Sequence, residues 1–403
     1  MNSENNIFAK FKAQKAKIKN VDSYFTPSKP IEAYTHLKGR DEEVQHILGT
    51  LTTAGQHCMI YGERGIGKSS LALSTLEGGK KAGIFTQPFF IKRCDNKTKF
   101  KDIIQQPVVY LDEDYVAQKK EITTKSGIGL NLAKLFRADV AVEEKIIIEK
   151  EDLTASKVCQ AFNELEGILL IDEFDVVDNG VKHEIAELIK QLSDSDSKLK
   201  ILLVGIASDG ASLIDGHQSV NRCLHEIKLS RIEDVYLHEI IVTGEKGLEI
   251  EFDEDVKNKI IEISNGFPYF THLISKESAE IALSESKNKI DQVMLARALE
   301  KAVINTEGQL KRAYDHAVTS SRTSVYPSIL YAAAKFPDNR FTIQEWISQI
   351  KDDTGTQYTN YAMSNYIGRF TREDKGKIIT KAARGVYTIT DPRMPSYIRM
   401  INS

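Results

Sequence analysis

The sequence predicts an α/β protein in which a doubly wound parallel sheet is followed by a small helical domain and a C-terminal winged helix. Three observations carry this prediction. In the first half of the chain, short apolar runs alternate with helical patterns, as in parallel sheets covered by helices on both faces. From Ser230 onward helical periodicity dominates. Near the end, helical patterns precede a β-pair that turns at Arg384-Gly385, an order typical of a winged helix.

Each predicted strand of the sheet is a short apolar run. Continuous apolar runs without alternation fit strands that are buried on both faces. The candidates are His57–Tyr61, Phe89–Arg93, Gly167–Ile171 and Lys200–Ile206. Helical patterns lie at Asp41–Thr50, from about Lys68, at Ser156–Leu165 and at Lys182–Leu192.

These patterns divide the chain into four parts. We expect an N-terminal arm at 1–35, an α/β core at 36–230 with an insertion at about 94–160, a helical domain at 231–305, and a connector with the winged helix at 306–403. The arm mixes Phe8 and Phe11 with lysines, which favours a partly ordered solvated arm over an amphipathic helix that docks on a partner. The insertion contains a β-prone run at Lys145–Ile148, and a segment of this length usually carries its own structure or function.

Composition and charge exclude several classes of protein. A chain of 403 residues predicts two or three domains, and its net charge of -3 gives no overall attraction to DNA or to an anionic membrane. The cysteines Cys58, Cys94, Cys159 and Cys223 lack C-x-x-C spacing, which argues against a zinc ribbon or a disulfide framework. No apolar run approaches the roughly 20 residues that span a bilayer, so we expect a cytoplasmic protein without membrane contact.

A glycine-rich segment after the first strand fits a phosphate-binding loop. Residues 62–69 read Gly-Glu-Arg-Gly-Ile-Gly-Lys-Ser and match G-x-x-x-x-G-K-[ST] without a mismatch. Glycine permits positive φ and close approach of backbone N–H groups, and the following helix N-terminus favours anions. We expect Lys68 to reach the β- and γ-phosphates and Ser69 to ligate Mg²⁺. The predicted ligands are ATP and Mg²⁺, and the predicted binding segment is Gly62, Glu63, Arg64, Gly65, Ile66, Gly67, Lys68, Ser69 and Ser70.

An apolar strand ends in two acids about 100 residues after this loop. Asp172 is expected to hold Mg²⁺, mostly through water. Glu173 is expected to orient and deprotonate the water that attacks the γ-phosphate. The alternative for Glu173 is an acid at a helix start that has no catalytic role.

With both motifs present, the chain resembles the AAA+ superfamily, and within it the origin-recognition-like and STAND-like ATPases that end in a winged helix. The resemblance covers roughly residues 30–400. It implies a P-loop sheet of AAA+ type, a helical lid at 231–305, ATP hydrolysis and a homo-oligomeric active form. Residues 37–43 are similar to the family's entry segment, which implies that Arg40 lies at the adenine pocket; an ordinary helix start is the alternative.

Two further segments are similar to motifs of this family. Residues 202–208 resemble the sensor-1 strand, which lies between the P-loop strand and the acidic strand and implies that Ser208, or its neighbour Asp209, reaches the γ-phosphate. Residues 219–223 resemble the arginine-finger box, which implies that Arg222 enters a neighbouring subunit's site. The alternative for Arg222 is a surface arginine in a local salt bridge.

The segment Ser264–Phe270 resembles the start of the sensor-2 helix, with Pro268 at the first helical position. The resemblance implies that Pro268 packs the lid against the nucleotide. The usual arginine is absent from this segment, which favours a slow switch over fast turnover. For His272, one turn on, packing is favoured over phosphate contact.

The C-terminal module leaves the partner open. In relatives it touches DNA or holds the ATPase at rest, and in this chain nearby acids dilute its basic residues. The basic residues around the wing are Lys375, Lys377, Lys381, Arg384 and Arg393, and Arg369 and Arg372 end the preceding helix. Three functions remain: an oligomeric ATPase that remodels or loads a DNA or protein partner, a slow nucleotide-controlled switch that engages a separate effector protein, and a DNA-binding regulator.

Overall fold

The computed structural model describes residues 12, 18, 20–31, 34–119, 154–207, 220–320 and 324–403, without the side chains of 112–119. The chain forms two compact units. The core unit comprises Ile31–Glu63 and Lys68–Ser230, and the C-terminal unit comprises Met1–Pro30, Arg64–Gly67 and Arg231–Ser403. The tip of the glycine-rich loop therefore groups with the C-terminal unit, and the residues on either side of it with the core unit.

Strands and helices alternate through the core unit, and helices dominate the described chain after it. The helices are α1 (Val21–Tyr24), α2 (Asp41–Thr52), α3 (Lys68–Lys81), α4 (Phe100–Lys119), α5 (Ala155–Ala161), α6 (Asn179–Asp194), α7 (Asp234–Leu248), α8 (Glu254–Ser264), α9 (Pro268–Ser284), α10 (Gln292–Asn305), α11 (Gly308–Val318), α12 (Tyr326–Ala334), α13 (Ile343–Thr354), α14 (Asn360–Phe370) and α15 (Met394–Ile401). The strands are β1 (His57–Gly62), β2 (Phe89–Arg93), β3 (Gly167–Asp172), β4 (Leu199–Ile206), β5 (Leu224–Leu229), β6 (Glu251–Phe252), β7 (Lys289–Ile290), β8 (Arg340–Thr342), β9 (Ile379–Ala383) and β10 (Val386–Ile389). No helix among the described residues is long and apolar enough to cross a membrane.

The core unit is built on a five-stranded parallel sheet with the order β2-β3-β4-β1-β5. Strands β1 and β3 are buried along their whole length, as their continuous apolar runs predict. The predicted sensor-1 strand, β4, lies between β3 and β1, so its expected position is confirmed. Because polar residues interrupt the apolar run of β5, an edge strand, the sequence did not predict it.

Helix α6 shows how the sheet is covered. Its buried residues recur at helical spacing and belong to the same apolar cluster as residues of β3 and β4. Ile185, Leu188 and Ile189 are each fully buried. This packing fixes the sheet under α6 and so fixes the place where β3 ends in its two acids.

The N-terminal arm differs from the expectation between Val21 and Phe25. Both side chains have no exposed surface, and α1 packs against α7 and α9. Phe25 fits a notch on α7, because a Cβ added to Gly244 would lie 2.0 Å from the Phe25 ring. A Cβ on Gly247 would lie 2.1 Å from the Tyr24 ring in the same way. The expectation of a solvated arm is therefore wrong for this segment. Gly244 and Gly247 lack side chains, so the rings of Phe25 and Tyr24 can pack directly against the backbone of α7.

The second half of the chain forms the helical part of the C-terminal unit and then a module of α12–α14 with a three-stranded antiparallel sheet, ordered β8-β10-β9. This arrangement is consistent with the predicted lid and winged helix. The three-residue β8 and the two-residue β6 and β7 were not predicted, because such short strands carry no periodicity. Helix α15 joins the two parts: Ser396 Oγ donates to the Ser264 carbonyl at 3.1 Å, and Arg399 Nε to the Ala334 carbonyl at 2.9 Å.

Several sequence predictions lie outside the described residues. They concern Phe8, Phe11, the run Lys145–Ile148, Ser208 and Asp209. The predicted insertion begins with α4 and ends with α5, and what lies between 120 and 153 is not described.

Candidate nucleotide-binding site

The glycine-rich loop joins β1 to α3, the arrangement that a phosphate-binding loop requires. Gly65 and Gly67 have φ of +82° and +96°, in the region that favours glycine. A Cβ at Gly67 would meet no atom within 4 Å, so glycine is needed there for backbone conformation and not for packing. The loop thus has the open concave backbone that can turn its N–H groups toward an anion.

Lys68 begins α3 with its ammonium group on the loop. Its side chain is buried, and Nζ donates to the carbonyl oxygens of Glu63 at 2.7 Å and Gly62 at 3.1 Å. These two hydrogen bonds hold the ammonium group beside the loop, where it is predicted to bind phosphate. A phosphate oxygen in the loop would be a stronger acceptor for the same ammonium group, because the hydrogen bond would then join opposite charges.

Ser69 and Asp172 meet across the sheet although 103 residues separate them. Ser69 Oγ donates to Asp172 Oδ1 at 2.9 Å, and the aspartate is buried. One hydroxyl and one carboxylate are a donor set that suits Mg²⁺, which usually keeps several waters and binds substrate phosphates as well. Over the described part of the chain, no group of three or more His, Cys, Asp or Glu is placed to hold a metal. The pair therefore fits a Mg²⁺ ion that is bound together with a nucleotide.

Glu173 follows Asp172 in a strained conformation. Its φ of +57° and ψ of +37° are left-handed, which costs a non-glycine residue about 1–3 kcal/mol and is typical of functional sites. Its N–H donates to Asp172 Oδ1 at 2.9 Å. Glu173 stands at the N-cap of a short 3₁₀ helix, yet its side chain makes no capping hydrogen bond. Glu173 is therefore an exposed acid at a helix start that it does not cap, and both its catalytic role and the alternative, a helix-start acid without one, stay predictions.

Arg93 is a member of the site that sequence reasoning missed. It ends β2 opposite Asp172 of β3, and its Nη2 lies 3.6 Å from Asp172 Oδ2. The Cys94 N–H also donates to the Asp172 carbonyl, at 2.8 Å. An arginine at a strand end gives no signal in the sequence, and only the order of strands in the sheet brings it beside the acid.

Arg222 lies at the opposite edge of the sheet from the loop. It precedes β5, which runs parallel to β1 with Leu224 opposite His57 and Leu229 opposite Gly62. A six-residue strand, roughly 20 Å long, therefore separates Arg222 from the edge of the sheet where the glycine-rich loop lies. Arg222 is exposed and pairs with Asp194 at the end of α6. It cannot reach the site of its own chain, so a neighbouring chain's site and the local salt bridge both remain as its role.

Arg40 and Ser70 make backbone contacts in the core unit. The buried Arg40 guanidinium donates to the Ser230 carbonyl at 2.6 Å and to Glu43 Oε1 at 2.9 Å. Burial lowers the pKa of Arg40, and Glu43 opposes that shift. Ser70 Oγ accepts from the Ile31 N–H at 3.0 Å. The structure thus gives both side chains a bracing role around the entry segment, and their predicted contact with nucleotide stays a prediction.

Pro268 and His272 lie in α9. Pro268 is buried at the first helical position, as predicted for a helix start. His272 is buried, with Nδ1 accepting from the Thr26 N–H at 3.3 Å and its ring edge-on to Phe25 at a centroid distance of 6.3 Å. The favoured packing role of His272 is therefore confirmed.

The basic wing patch is smaller than the sequence implies. The prediction that Arg393 belongs to a basic surface is wrong, because its side chain is only 1% exposed. Inside the C-terminal unit it forms ion pairs with two carboxylates. Lys377 pairs with Glu373, and Arg372 is bound through two nitrogens to Asp374. Arg369 donates to the carbonyls of Ala317 and Thr319. Lys381 and Arg384 are exposed at the wing turn, and Lys375 is half-buried.

The fold is similar to those of several solved proteins. The structure is similar to the Walker-type ATPase of Pyrococcus abyssi, at 19% identity and a TM-score of 0.54 over 92% of this chain and 99% of that one. It is also similar to the ORC2 protein of Aeropyrum pernix, at 14% identity and a TM-score of 0.52 over 95% and 96% of the two chains. No protein-family model and no curated protein matches the sequence. The fold is thus shared with these two proteins, and the likeness is one of fold.

Proposed function

We propose that this protein is a Mg²⁺-dependent ATP hydrolase. The observation that carries the proposal is the contact between Ser69 and Asp172. The next residue, Glu173, has a left-handed backbone, and its side chain makes no capping hydrogen bond. A motif match alone predicts a loop, but this contact joins the loop to the acidic strand end. The solved complexes of the Aeropyrum pernix neighbour, which hold ADPNP and ADP, agree with nucleotide binding by this fold.

The residues divide the chemistry between them. Lys68 and the loop N–H groups bind and orient the phosphates, and Ser69 and Asp172 hold the metal site. Mg²⁺ bound at this site would supply positive charge that stabilises the phosphates during the reaction. Glu173 accepts a proton from the attacking water at its carboxylate, which aligns the water with the γ-phosphorus. Arg93 sets the orientation of the Asp172 carboxylate through its 3.6 Å ion pair.

The test is hydrolysis by the purified full chain and by its Glu173→Gln variant. We expect Mg²⁺-dependent release of phosphate by the wild type and a fall in kcat of about a hundredfold or more for Glu173→Gln, with ATP still bound. The removal of Mg²⁺ by a chelator should stop the wild-type reaction. If Glu173→Gln hydrolyses ATP at the wild-type rate, Glu173 is not the base and the helix-start interpretation returns.

A slow switch that engages an effector protein is the second candidate. The absence of an arginine at the start of α9 favours it. The same preparation distinguishes the two candidates. Nucleotide that copurifies with the chain, together with little turnover, supports the switch, and rapid multiple turnover argues against it.

We also propose a homo-oligomeric form, in which Arg222, too far from the site of its own chain, acts at the site of a neighbouring chain; the ion pair with Asp194 is the alternative role. We expect Arg222→Ala to lower kcat at least tenfold, because arginine fingers supply large parts of phosphoryl-transfer rates. Mixing Arg222→Ala chains, which keep the loop, with Lys68→Ala chains, which keep the arginine, should restore activity. The control is Asp194→Asn, which breaks the local ion pair and keeps Arg222. If Arg222→Ala and Asp194→Asn lower kcat equally and only slightly, and mixing restores no activity, the role of Arg222 is the local salt bridge with Asp194.

DNA is a weaker candidate partner than another protein. The wing turn offers Lys381 and Arg384, whereas carboxylates or backbone carbonyls occupy most other basic side chains of the predicted patch. Stimulation of ATP hydrolysis by duplex DNA, lost in Lys381→Ala/Arg384→Ala, would support the DNA-directed form of the function. A cytoplasmic location is part of the same proposal.

A further inference from the structure

A buried arginine of the C-terminal unit lies against the tip of the phosphate-binding loop. Arg393 precedes α15, and its guanidinium is 1% exposed. Nη1 donates to Glu307 Oε1 at 2.7 Å, and Nε and Nη2 donate to the two oxygens of Asp391 at 3.1 and 2.9 Å. Burial by itself lowers the pKa of Arg393, but Asp391 and Glu307 outweigh it and raise the pKa. The side chain is therefore a fixed cation held by two carboxylates.

The stem of Arg393 packs on the loop itself. A Cβ added to Gly65 would lie 2.8 Å from Arg393 Cδ, so only a glycine accommodates the arginine at this point. Glu307 also faces the loop, because its Oε2 lies 3.6 Å from Nη2 of Arg64. The same arginine is 3.4 Å from Gln309 through Nη1. Glu307 thus joins the residue before Gly65 to the arginine that packs on Gly65.

We propose that Arg393, Glu307 and Asp391 are positioning residues for nucleotide, which hold the loop tip in the conformation that binds phosphates. This proposal rests on the proposed nucleotide binding. Removing one carboxylate from a buried guanidinium is strongly unfavourable, so the Arg393 side of the network is rigid. The ion pair between Arg64 and Glu307 contributes less to the network, because Arg64 is half-exposed and the two groups are 3.6 Å apart. Nucleotide affinity therefore depends on residues more than 200 positions away from the loop.

The experiment is titration of the full chain with a fluorescent ADP analogue, together with steady-state kinetics with ATP. We expect Glu307→Gln and Arg393→Lys to raise Kd and KM about fivefold or more, with kcat within about twofold of wild type. Arg64→Ala combined with Glu307→Gln should be less than additive, because the two side chains share one contact. The matched controls are Arg297→Ala and Glu285→Gln, since this arginine and glutamate form a pair of similar exposure elsewhere in the unit.

The outcomes separate the two proposals. If Lys68→Ala abolishes binding but Glu307→Gln and Arg393→Lys bind like wild type, the network does not position the loop, and the proposed function stands. If the wild-type chain binds no nucleotide, both proposals fail. A purely structural network would lower Tm in these variants and leave the Kd of the folded protein unchanged. Because Glu307 is about one third exposed, Glu307→Gln keeps the test open if Arg393→Lys does not fold.

Discussion

The two ends of the phosphate-binding loop are held in different ways. At the helix end, Lys68 and Ser69 contact loop carbonyls and Asp172, all within the core unit. At the tip, Gly65 lies against Arg393 of the C-terminal unit. Under the proposed function, binding of phosphate and Mg²⁺ requires the residue types at the helix end, whereas packing against Arg393 requires the glycine at the tip. Variants of the two regions should therefore have different effects. Those at the helix end should lose nucleotide binding or hydrolysis in a folded chain, and those at the tip should lose stability or nucleotide affinity.

The largest effect should come from the packing of the C-terminal unit. Phe25→Ala removes a fully buried ring from the notch at Gly244, where it also contacts Phe252 edge-on at a centroid distance of 6.4 Å. We expect a loss of about 3–5 kcal/mol in the free energy of unfolding, because the notch cannot close around alanine. Chemical denaturation measures it. Ile304→Ala is the control, since Ile304 is 70% exposed and should change stability by less than about 0.5 kcal/mol. A Phe25→Ala protein as stable as wild type would show that the arm does not support α7.

The next effect belongs to the helix end of the loop. Lys68→Ala should weaken ATP binding by about 2–5 kcal/mol, because a buried cation no longer meets the phosphates. Isothermal titration measures the affinity, and the unfolding midpoint without nucleotide should stay close to that of wild type. Lys190→Ala, on the half-buried flank of α6, provides a lysine control away from the loop. Unchanged ATP affinity in Lys68→Ala would remove the chemical distinction between the two ends of the loop.

The sequence predicts the residues at the helix end of the loop far better than the residues that pack against its tip. Residue types along β1, the loop and β3 are so constrained that Ser69 and Asp172 were placed together from motifs alone. Nothing local marks Arg93, which reaches Asp172 only because β2 pairs with β3. Arg393 was even assigned to a basic surface, because a sequence shows charge but not burial.

The same reasoning explains the misses in the fold. Strands β1, β3 and β4 consist mainly of apolar residues and were predicted, whereas polar residues interrupt the edge strand β5, which was not. The arm was expected to be solvated because its apolar residues, such as Phe8 and Phe11, are mixed with lysines. Its burial depends on Gly244 and Gly247, more than 200 residues later, whose missing side chains admit two rings. A glycine notch has no sequence pattern of its own, so only the assembled helix α7 reveals it.

The smallest effect should appear as a pH dependence at the start of β1. His57 is buried there, and its Nδ1 accepts from the Ile201 N–H at 3.0 Å. Burial, with the charge of Lys200, lowers the pKa of His57 to about 3. Between pH 6.5 and about 3 the unfolded chain therefore binds a proton that the folded chain does not, so stability falls as the pH falls through this window, by up to about 1.4 kcal/mol per pH unit. His57→Asn keeps an acceptor for Ile201 and cannot titrate, so unfolding measured at pH 7, 6 and 5 should show a smaller loss for this variant than for wild type. Equal pH slopes in the two proteins would mean that His57 is accessible to protons, and that the strand leading into the loop is less tightly held than the structure shows.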